Sequence, residues 1–444
     1  MRHRSIITAG VVLLFGVLLN TKLPGQSLQD EIRSIFGSVL ELELAGPIDT
    51  QHGDHFRPDS VSFSNRSINA FSNFITANIG GFPLSSTSAG LTFDFSTGKP
   101  VATTTSLGPI FGERAQTLGK GRINLGFNFS FLNLNKIRGL NTRDILFTFT
   151  HQDVKEPGLG DSDNEFDTID LLMNLDLDAS VLAFVGTVGL TNNLDVGVAV
   201  PFVSIRLEAR PVAVINSFTA IKAGAPNHFF GDPSDPQLRR EFGQVESDAT
   251  GIGDVAVRAK YRITRGDGIH LAILGEYRFP TGDEENFLGN GDPTVKAGII
   301  VSGTHNNFGP HLNLTYEART TDLDRDEIEV FAGFDQKVTD FLTIAMDVVG
   351  EFEVGSEITT NAFSDPVVAQ RFITDTTGTT VLFRQVTPVT NIPQYTRDDL
   401  INAALGFKLN PREGLLIIGN VFVPLNDRGL RSDWIPTVGF EFTF

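Results

Sequence analysis

The residues able to do chemistry in this 444-residue chain are limited in kind and scattered in position. It holds eight histidines (His3, His52, His55, His151, His228, His270, His305 and His311) and no cysteine. The lack of cysteine removes thiolate nucleophiles, disulfides and thiolate metal sites together. No H-E-x-x-H, G-x-S-x-G or P-loop spacing occurs. Acyl transfer needs a serine, a histidine and an orienting acid, and the spacing of His270 and His311 pairs neither with a serine. Asp322-Leu323-Asp324-Arg325-Asp326-Glu327 alternates carboxylates but lacks the glycine and distant glutamate of a calcium loop, so it reads as a solvated loop. His52-Gly53-Asp54-His55 is a weaker metal candidate still. The expectation is no enzyme, no cofactor and no metal centre.

The charges that do fall in a pattern occupy alternate positions. Arg258, Lys260 and Arg262 recur two apart, followed by Glu276 and Arg278, then Lys296, Glu317, Arg319, Glu329, Asp335, Lys337, Asp347, Glu351 and Glu353. Apolar residues fill the intervening positions, as on a strand with one face toward lipid and one toward a polar lumen. Mixed signs there suit two uses: setting ion preference in an open pore, or pairing across strands and anchoring a plug. The self-pairing wall carries more weight.

Those charges need strands to hold them. Phe444, Phe442, Phe440, Val438 and Pro436 share one face at the C-terminus, and eight segments before it, back to Val255, repeat the period of two. The connections alternate in length. They are short at 264–268, 304–309, 339–341 and 410–414, and longer at 280–292, 320–327, 353–399 and 426–432. Apolar faces of about ten residues match a tilted membrane strand, and Trp434 with Phe444 brackets such a band. A soluble sandwich would alternate too, but this asymmetry favours an all-β transmembrane antiparallel barrel. In hydrocarbon an open edge leaves unpaired backbone groups, so the sheet must close.

The strand count turns on one segment. Apolar residues sit at odd positions from Ile169 to Leu177 and at even positions from Leu182 to Leu190. A bulge near Ala179 gives twelve strands; a turn there makes the Ile145-Phe147-Phe149 segment a strand and gives fourteen. Both counts are even, and twelve is preferred because the acidic connection 153–165 suits an outer loop.

Upstream, Met1-Arg2-His3-Arg4 and the apolar run Ile6 to Leu19 have a signal-peptide layout, too short to span a membrane. Residues 1–26 therefore read as an export leader, 27–118 as a plug or periplasmic segment, and 119–444 as the barrel. Within 27–118, Leu28 to Leu40 has helical spacing, Phe63, Phe71 and Phe74 recur as on a short amphipathic helix, and Leu91 to Phe95 with Gly98-Lys99 reads as a hairpin. Phe63, Phe71 and Phe74 are candidate contacts for a passing hydrophobe. Phe is abundant, 37 against 4 Tyr and 1 Trp, and Phe229, Phe230 and Phe287 in outer loops offer either a stacking surface or ordinary packing. The formal charge of −18 argues against a nucleic-acid partner.

The C-terminal segment Val438-Gly439-Phe440-Glu441-Phe442-Thr443-Phe444 resembles the last strand of bacterial outer-membrane proteins, whose terminal Phe is an assembly signal. By that resemblance Phe444 would be read by the barrel-assembly machinery. A broader resemblance is carried by Pro109-Ile110-Phe111-Gly112-Glu113-Arg114-Ala115-Gln116-Thr117-Leu118-Gly119-Lys120-Gly121-Arg122, Leu194-Asp195-Val196-Gly197-Val198-Ala199-Val200-Pro201, Gly251-Ile252-Gly253-Asp254-Val255 and Phe279-Pro280-Thr281-Gly282-Asp283. These resemble the meta-pathway of phenol degradation family of outer-membrane transporters, itself similar to long-chain fatty-acid and aromatic-hydrocarbon uptake channels. The resemblance implies a barrel in the cell outer membrane, in contact with its lipid, passing a small hydrophobic or aromatic ligand passively. The chain departs from the uptake channels in having no Asn-Pro-Ala near its processed N-terminus. A general porin for polar solutes and a structural or adhesion barrel binding through its outer loops stay open as alternatives.

Overall fold

The computed structural model describes residues 26–40, 44–45, 71, 74–75, 91–94, 99–102, 106–150, 167–226, 228–264, 268–319, 326–355, 366–374, 377–412 and 414–443. Residues 1–25 of the expected leader, Phe63 and Phe444 lie outside them.

Twelve antiparallel strands close into a barrel. They are β1 (Ile123–Asn133), β2 (Leu175–Gly189), β3 (Leu194–Ala209), β4 (Val255–Arg262), β5 (Ile269–Phe279), β6 (Thr294–Gly303), β7 (Phe308–Arg319), β8 (Asp326–Lys337), β9 (Leu342–Val354), β10 (Leu400–Arg412), β11 (Leu415–Pro424) and β12 (Ile435–Thr443). Each pairs with its neighbours in the chain, and β12 pairs with β1 to shut the cylinder. Closure satisfies every wall strand on both sides except at one place described below. The outer surface is apolar, with Leu125, Phe129, Phe184, Val257, Ile299, Leu314, Ile344 and Leu405 all exposed, which is the lipid-facing band of a membrane barrel. Rings continue this band from strand to strand: Phe440 stacks on Phe127 at 5.1 Å across the β12–β1 seam, and Phe184 of β2 meets Phe202 of β3 edge-on at 5.8 Å.

Twelve strands form, but without a bulge at Ala179. β2 runs unbroken and pairs β3 in constant register from Gly189↔Asp195 to Leu175↔Ala209. The apparent change of phase comes from a change of surroundings. Odd-numbered Leu175, Leu177, Ala179, Val181 and Val185 are buried inside, and even-numbered Leu182, Phe184 and Val188 face outward. Above them the outward positions turn polar at Ser180, Asp178 and Asp176, and on β3 at Ser204, Arg206 and Glu208. At 15 and 16 residues, β2 and β3 are longer than the ~9–11 residues a tilted strand needs to cross, so their outer ends stand above the hydrocarbon. The Ile145-Phe147-Phe149 segment lies in this outer region, where 146–150 joins 168–172, 212–216 and 239–241 in a four-stranded sheet.

The fourth barrel stave is made of two pieces. Val245–Ile252 pairs the outer half of β3, from Ala209↔Val245 to Phe202↔Ile252, and β4 pairs the inner half, from Ala199↔Ala256 to Leu194↔Tyr261. Between them, three residues of this stave oppose Val200 and Pro201, which is a one-residue bulge at Gly253-Asp254. A one-residue slip reverses the faces: Ala249 and Gly251 point in above it, Ala256 and Lys260 below it. β5 ends at Phe279 opposite Val255, so the other edge of Val245–Ile252 has no ladder partner among the described residues.

The N-terminal helix forms as its spacing predicts. α1 (Leu28–Leu40) is capped by Ser27, whose hydroxyl accepts from Asp30 N at 3.1 Å. Leu28, Ile32 and Ile35, at i, i+4 and i+7, are fully buried, while Arg33 on the opposite face is exposed. The hairpin forms too, with 91–94 paired to 99–102.

Candidate functional site in the lumen

The lumen divides by chemistry into an outer, apolar half and an inner, hydrogen-bonded half. Its outer half is walled on one side by the inward face of β2 and β3, with Leu177, Ala179, Val203, Ile205 and Leu207 buried in one cluster with Leu28, Ile32 and Ile35 of α1, Phe71 and Ile75. Phe287 and Leu288 of the 280–293 loop belong to the same cluster. α1 is tied to that loop by Leu28 N donating to Asn286 Oδ1 at 3.1 Å and Gln29 Nε2 donating to Glu284 O at 3.2 Å. It packs against Val245–Ile252, beside the edge that lacks a ladder.

That loop is fixed by the bulge. The Asp254 carboxylate accepts from Gly282 N at 2.9 Å and Asn290 N at 2.8 Å, and Thr281 Oγ1 donates to Gly253 O at 2.7 Å. A Cβ at Gly253 would sit 3.0 Å from Leu288 O and 3.1 Å from Pro201, so the loop backbone can lie against the bulge only because that residue is glycine.

Segment 106–118 crosses the inner half of the lumen, and its backbone donors go to side chains of the wall. Leu107 N donates to Thr343 Oγ1 at 3.0 Å and Phe111 N to Asp347 Oδ2 at 3.0 Å. Glu113 N donates to Asn313 Oδ1 at 2.6 Å, Ala115 N to Ser302 Oγ at 3.0 Å, and Leu118 N to Asp195 Oδ2 at 2.9 Å. Irregular backbone at membrane depth is stable only with such partners. Arg114, itself 4 % exposed, pairs with fully buried Asp335, and Ser106 bonds to both. His311 Nε2 meets Asp347 Oδ1 at 2.5 Å, and a Cβ at Gly112 would overlap the His311 ring.

The candidate lumen charges all face inward, but they divide between two tasks. Arg258 pairs with Glu113 of the crossing segment, and Lys260 reaches Glu113 Oε2 and Arg114 O, each at 3.2 Å. Arg262 donates to Asn192 O at 3.2 Å on the short-turn rim. Higher in the barrel, Glu276 pairs with Arg278 at 3.6 Å, and Lys296 bridges Glu317 at 2.9 Å and Glu329 at 2.7 Å. Arg319 joins Glu317 at 3.1 Å to Glu327 at 2.8 Å. Glu351 lies directly across from Glu329, and Glu353 across from Glu327. This wall therefore sets carboxylate against carboxylate across β8 and β9, with Lys296 and Arg319 pairing the β8 members from the β6–β7 side.

Of the candidate plug aromatics, Phe71 is buried in the apolar cluster. Phe74 lies under the Arg138 guanidinium, 4.9 Å from its ring centroid. Phe229, Phe230 and Phe287 are 5 %, 3 % and 1 % exposed, so they pack rather than present a stacking surface. Sequence reasoning missed Arg138, which holds Asp398 through Nε and Nη2 at 3.0 and 2.6 Å and Pro393 O at 3.0 Å. Its positive φ of 49°, unusual for arginine, follows from that anchoring turn and leaves no sequence signal. Asp335 and Asp347, placed among the inward charges, do anchor the crossing segment, as one of the two uses read for that wall, whereas Asp254 and His311 were not singled out for these contacts. Gly251-Ile252-Gly253-Asp254-Val255 did stand among the family-like stretches.

A second buried histidine, His228, meets Asp167 at 2.6 Å, and Ser217 Oγ lies 3.5 Å from the same carboxylate. The acid stands between serine and histidine here. Nucleophile activation requires the histidine in the middle, so this trio is a cap: Asp167 accepts from Phe218 N and Ser217 from Ala220 N at the start of helix Phe218–Ala223.

Among solved structures, the chain is similar to the COG4313 outer membrane channel from Pseudomonas putida F1, with 10% identity over 74% of this chain and 98% of that one and a TM-score of 0.39. It is also similar to a Pseudomonas aeruginosa FadL homologue (12% identity, 72% and 89% coverage, TM-score 0.29) and to the Ralstonia pickettii toluene transporter TbuX (10% identity, 73% and 90% coverage, TM-score 0.25). No curated protein matches the chain. The family model described as "Putative MetA-pathway of phenol degradation" matches residues 160–427. That span holds the bulge, the loop it fixes and the strand that receives Leu118, though not the crossing segment itself. With more than half of its length matched, this twelve-stranded barrel belongs to the phenol-degradation MetA-pathway family.

Proposed function

We propose that the protein is an outer-membrane channel for passive uptake of small hydrophobic, including aromatic, compounds, with residues 27–118 acting as its plug. The observation that carries this reading is the division of the lumen. An apolar cluster built by β2, β3 and α1 fills the outer half, and a hydrogen-bonded segment crosses beneath it. A hydrophobic solute that parts these side chains gains about 25 cal/mol for each Å² it removes from water, whereas a polar solute gains nothing there. The phenol-degradation family that residues 160–427 match points the same way. The solute would be captured among the outer loops, dwell against α1 and the β2–β3 wall, and leave by diffusion once the crossing segment shifts.

Planar-bilayer conductance of the full chain and of a chain lacking residues 27–118 tests this. A nearly closed intact protein that opens to large steady pores on deletion supports the plug. Free ion conduction by the intact protein would replace this reading with a polar-solute porin.

A further inference from the structure

Outside the lumen, on the outer rim between β11 and β12, lies a cavity of about 250 Å³. It is roofed by a small patch in which Leu430–Arg431 pairs with Lys136–Ile137, and Lys136–Ile137 with Leu140–Asn141. We propose that this cavity binds the ring of a hexose-type sugar.

The floor is rigid and its hydrogen bonds are already used. Arg431 donates through Nη1 to Asn402 and through Nη2 to Asn426, each at 2.8 Å, and through Nε to Arg428 O at 2.6 Å. Three lining groups keep spare capacity. Ser432, 3 % exposed, has a buried hydroxyl without a hydrogen-bond partner. An orphan of this kind costs about 1–3 kcal/mol unless something occupies the space before it. Lys136 commits one of its three protons, to Asp433 at 2.7 Å, and the exposed Asp427 carboxylate makes no hydrogen bond among the described residues. Gly139, at φ +82°, leaves room for Asp427, whose Cβ would otherwise lie 3.1 Å from a side chain there.

These groups select a class of ligand. Lys136 and Arg431 are balanced by Asp427 and Asp433, so a phosphate or carboxylate entering would meet two carboxylates, with Arg431 fully engaged and the charge of Lys136 already paired with Asp433. A ring bearing several hydroxyls does better: it donates to Asp427 and Asp433 while accepting from Lys136 and Ser432. The size suits one ring. Leu425 and Trp434, 57 % and 59 % exposed, flank the pocket, and an exposed Trp at a strand end marks the headgroup level of a membrane barrel. The ring could belong to an outer-leaflet glycolipid or to a free sugar; both present the same chemistry.

Trp434 is the chain's only tryptophan and adjoins Asp433, so its fluorescence reports the pocket directly. The full-length protein, purified in detergent and freed of lipopolysaccharide, is titrated with glucose, glucosamine, lipopolysaccharide and inorganic phosphate. A saturable change with lipopolysaccharide alone assigns the ring to the glycolipid, and one with the free sugars assigns it to them; either supports the site. The change is expected to vanish in Ser432→Phe, which fills the cavity, and to need about tenfold more ligand in Asp427→Ala. Heat-modifiable gel migration checks that both variants are folded. Absence of any saturable change with sugar or lipopolysaccharide, an unaltered response in Ser432→Phe, or saturation by phosphate in their place overturns the proposal.

Discussion

The two halves of the lumen are held by opposite means. In the outer half, α1 and its neighbours are kept chiefly by apolar contact, with bonds to Asn286 and Glu284 fixing the start of the helix. In the inner half, the crossing segment sends Ile110 and Phe111 into that same cluster but is otherwise held by directed hydrogen bonds and by the Arg114–Asp335 and Arg258–Glu113 pairs. Apolar contacts are non-directional and tolerate exchange of one occupant for another. Buried ion pairs fail sharply when one partner goes. The outer cluster can therefore repack around a change that the inner segment cannot absorb.

The sharpest way to break that comparison is Arg114→Ala. It leaves Asp335 buried and unpaired, a cost of about 3–5 kcal/mol, which falls on the crossing segment because the wall ladders around it are intact. Bilayer recordings should show a marked rise in open-channel conductance while the protein stays heat-modifiable on gels. Ile32→Ala attacks the other half and should cost about 2–5 kcal/mol in local packing. Limited proteolysis would then cut near α1 sooner, with conductance unchanged; a conductance rise as large as that of Arg114→Ala would show that the two halves are not independent.

Asp254→Ala removes the acceptor for two loop amides, a loss of about 1–3 kcal/mol. Hydrogen exchange at Gly282 and Asn290 should speed up, and amides of the crossing segment should not. Glu351→Gln relieves the opposition to Glu329 and should stabilise the barrel by about 0.2–1 kcal/mol, read as a higher unfolding temperature. The smallest effect is at the outer rim. Lys136 donates to Asp433 and holds that carboxyl below its usual range, with Asn135 adding a second bond. The pair's contribution is present above the ordinary carboxylate pKa and fades as pH falls through the lower folded value. Both side chains are about half exposed, so screening keeps it slight. Acid-dependent exchange at the 136–141 turn should disappear in Asp433→Asn.

Much of this was legible in the chain. The nine alternating segments from Val255 onward all became strands, because lipid on one side and a polar lumen on the other impose a period of two. Helix α1 was visible through Leu28, Ile32 and Ile35. The change of phase between Leu177 and Leu182 was visible as well but misread: periodicity reports where the apolar face is, and here both faces are apolar in turn, one toward the inner apolar cluster and the other toward lipid. Arg258 and Lys260 were found as inward charges, yet their partner Glu113 was not, since it lies more than a hundred residues upstream on a segment with no period of its own.

What the sequence determined by itself is the barrel: alternation, alternating connection lengths and the need to pair every backbone group in hydrocarbon leave little freedom. Tertiary structure decided the interior. Which carboxylate receives Phe111 N, why the stave breaks at Gly253-Asp254, and how Arg138 gathers Phe74 and Asp398 depend on side chains meeting across the cylinder. Such meetings are fixed by strand order and register around the whole ring, and no local pattern of residues encodes them.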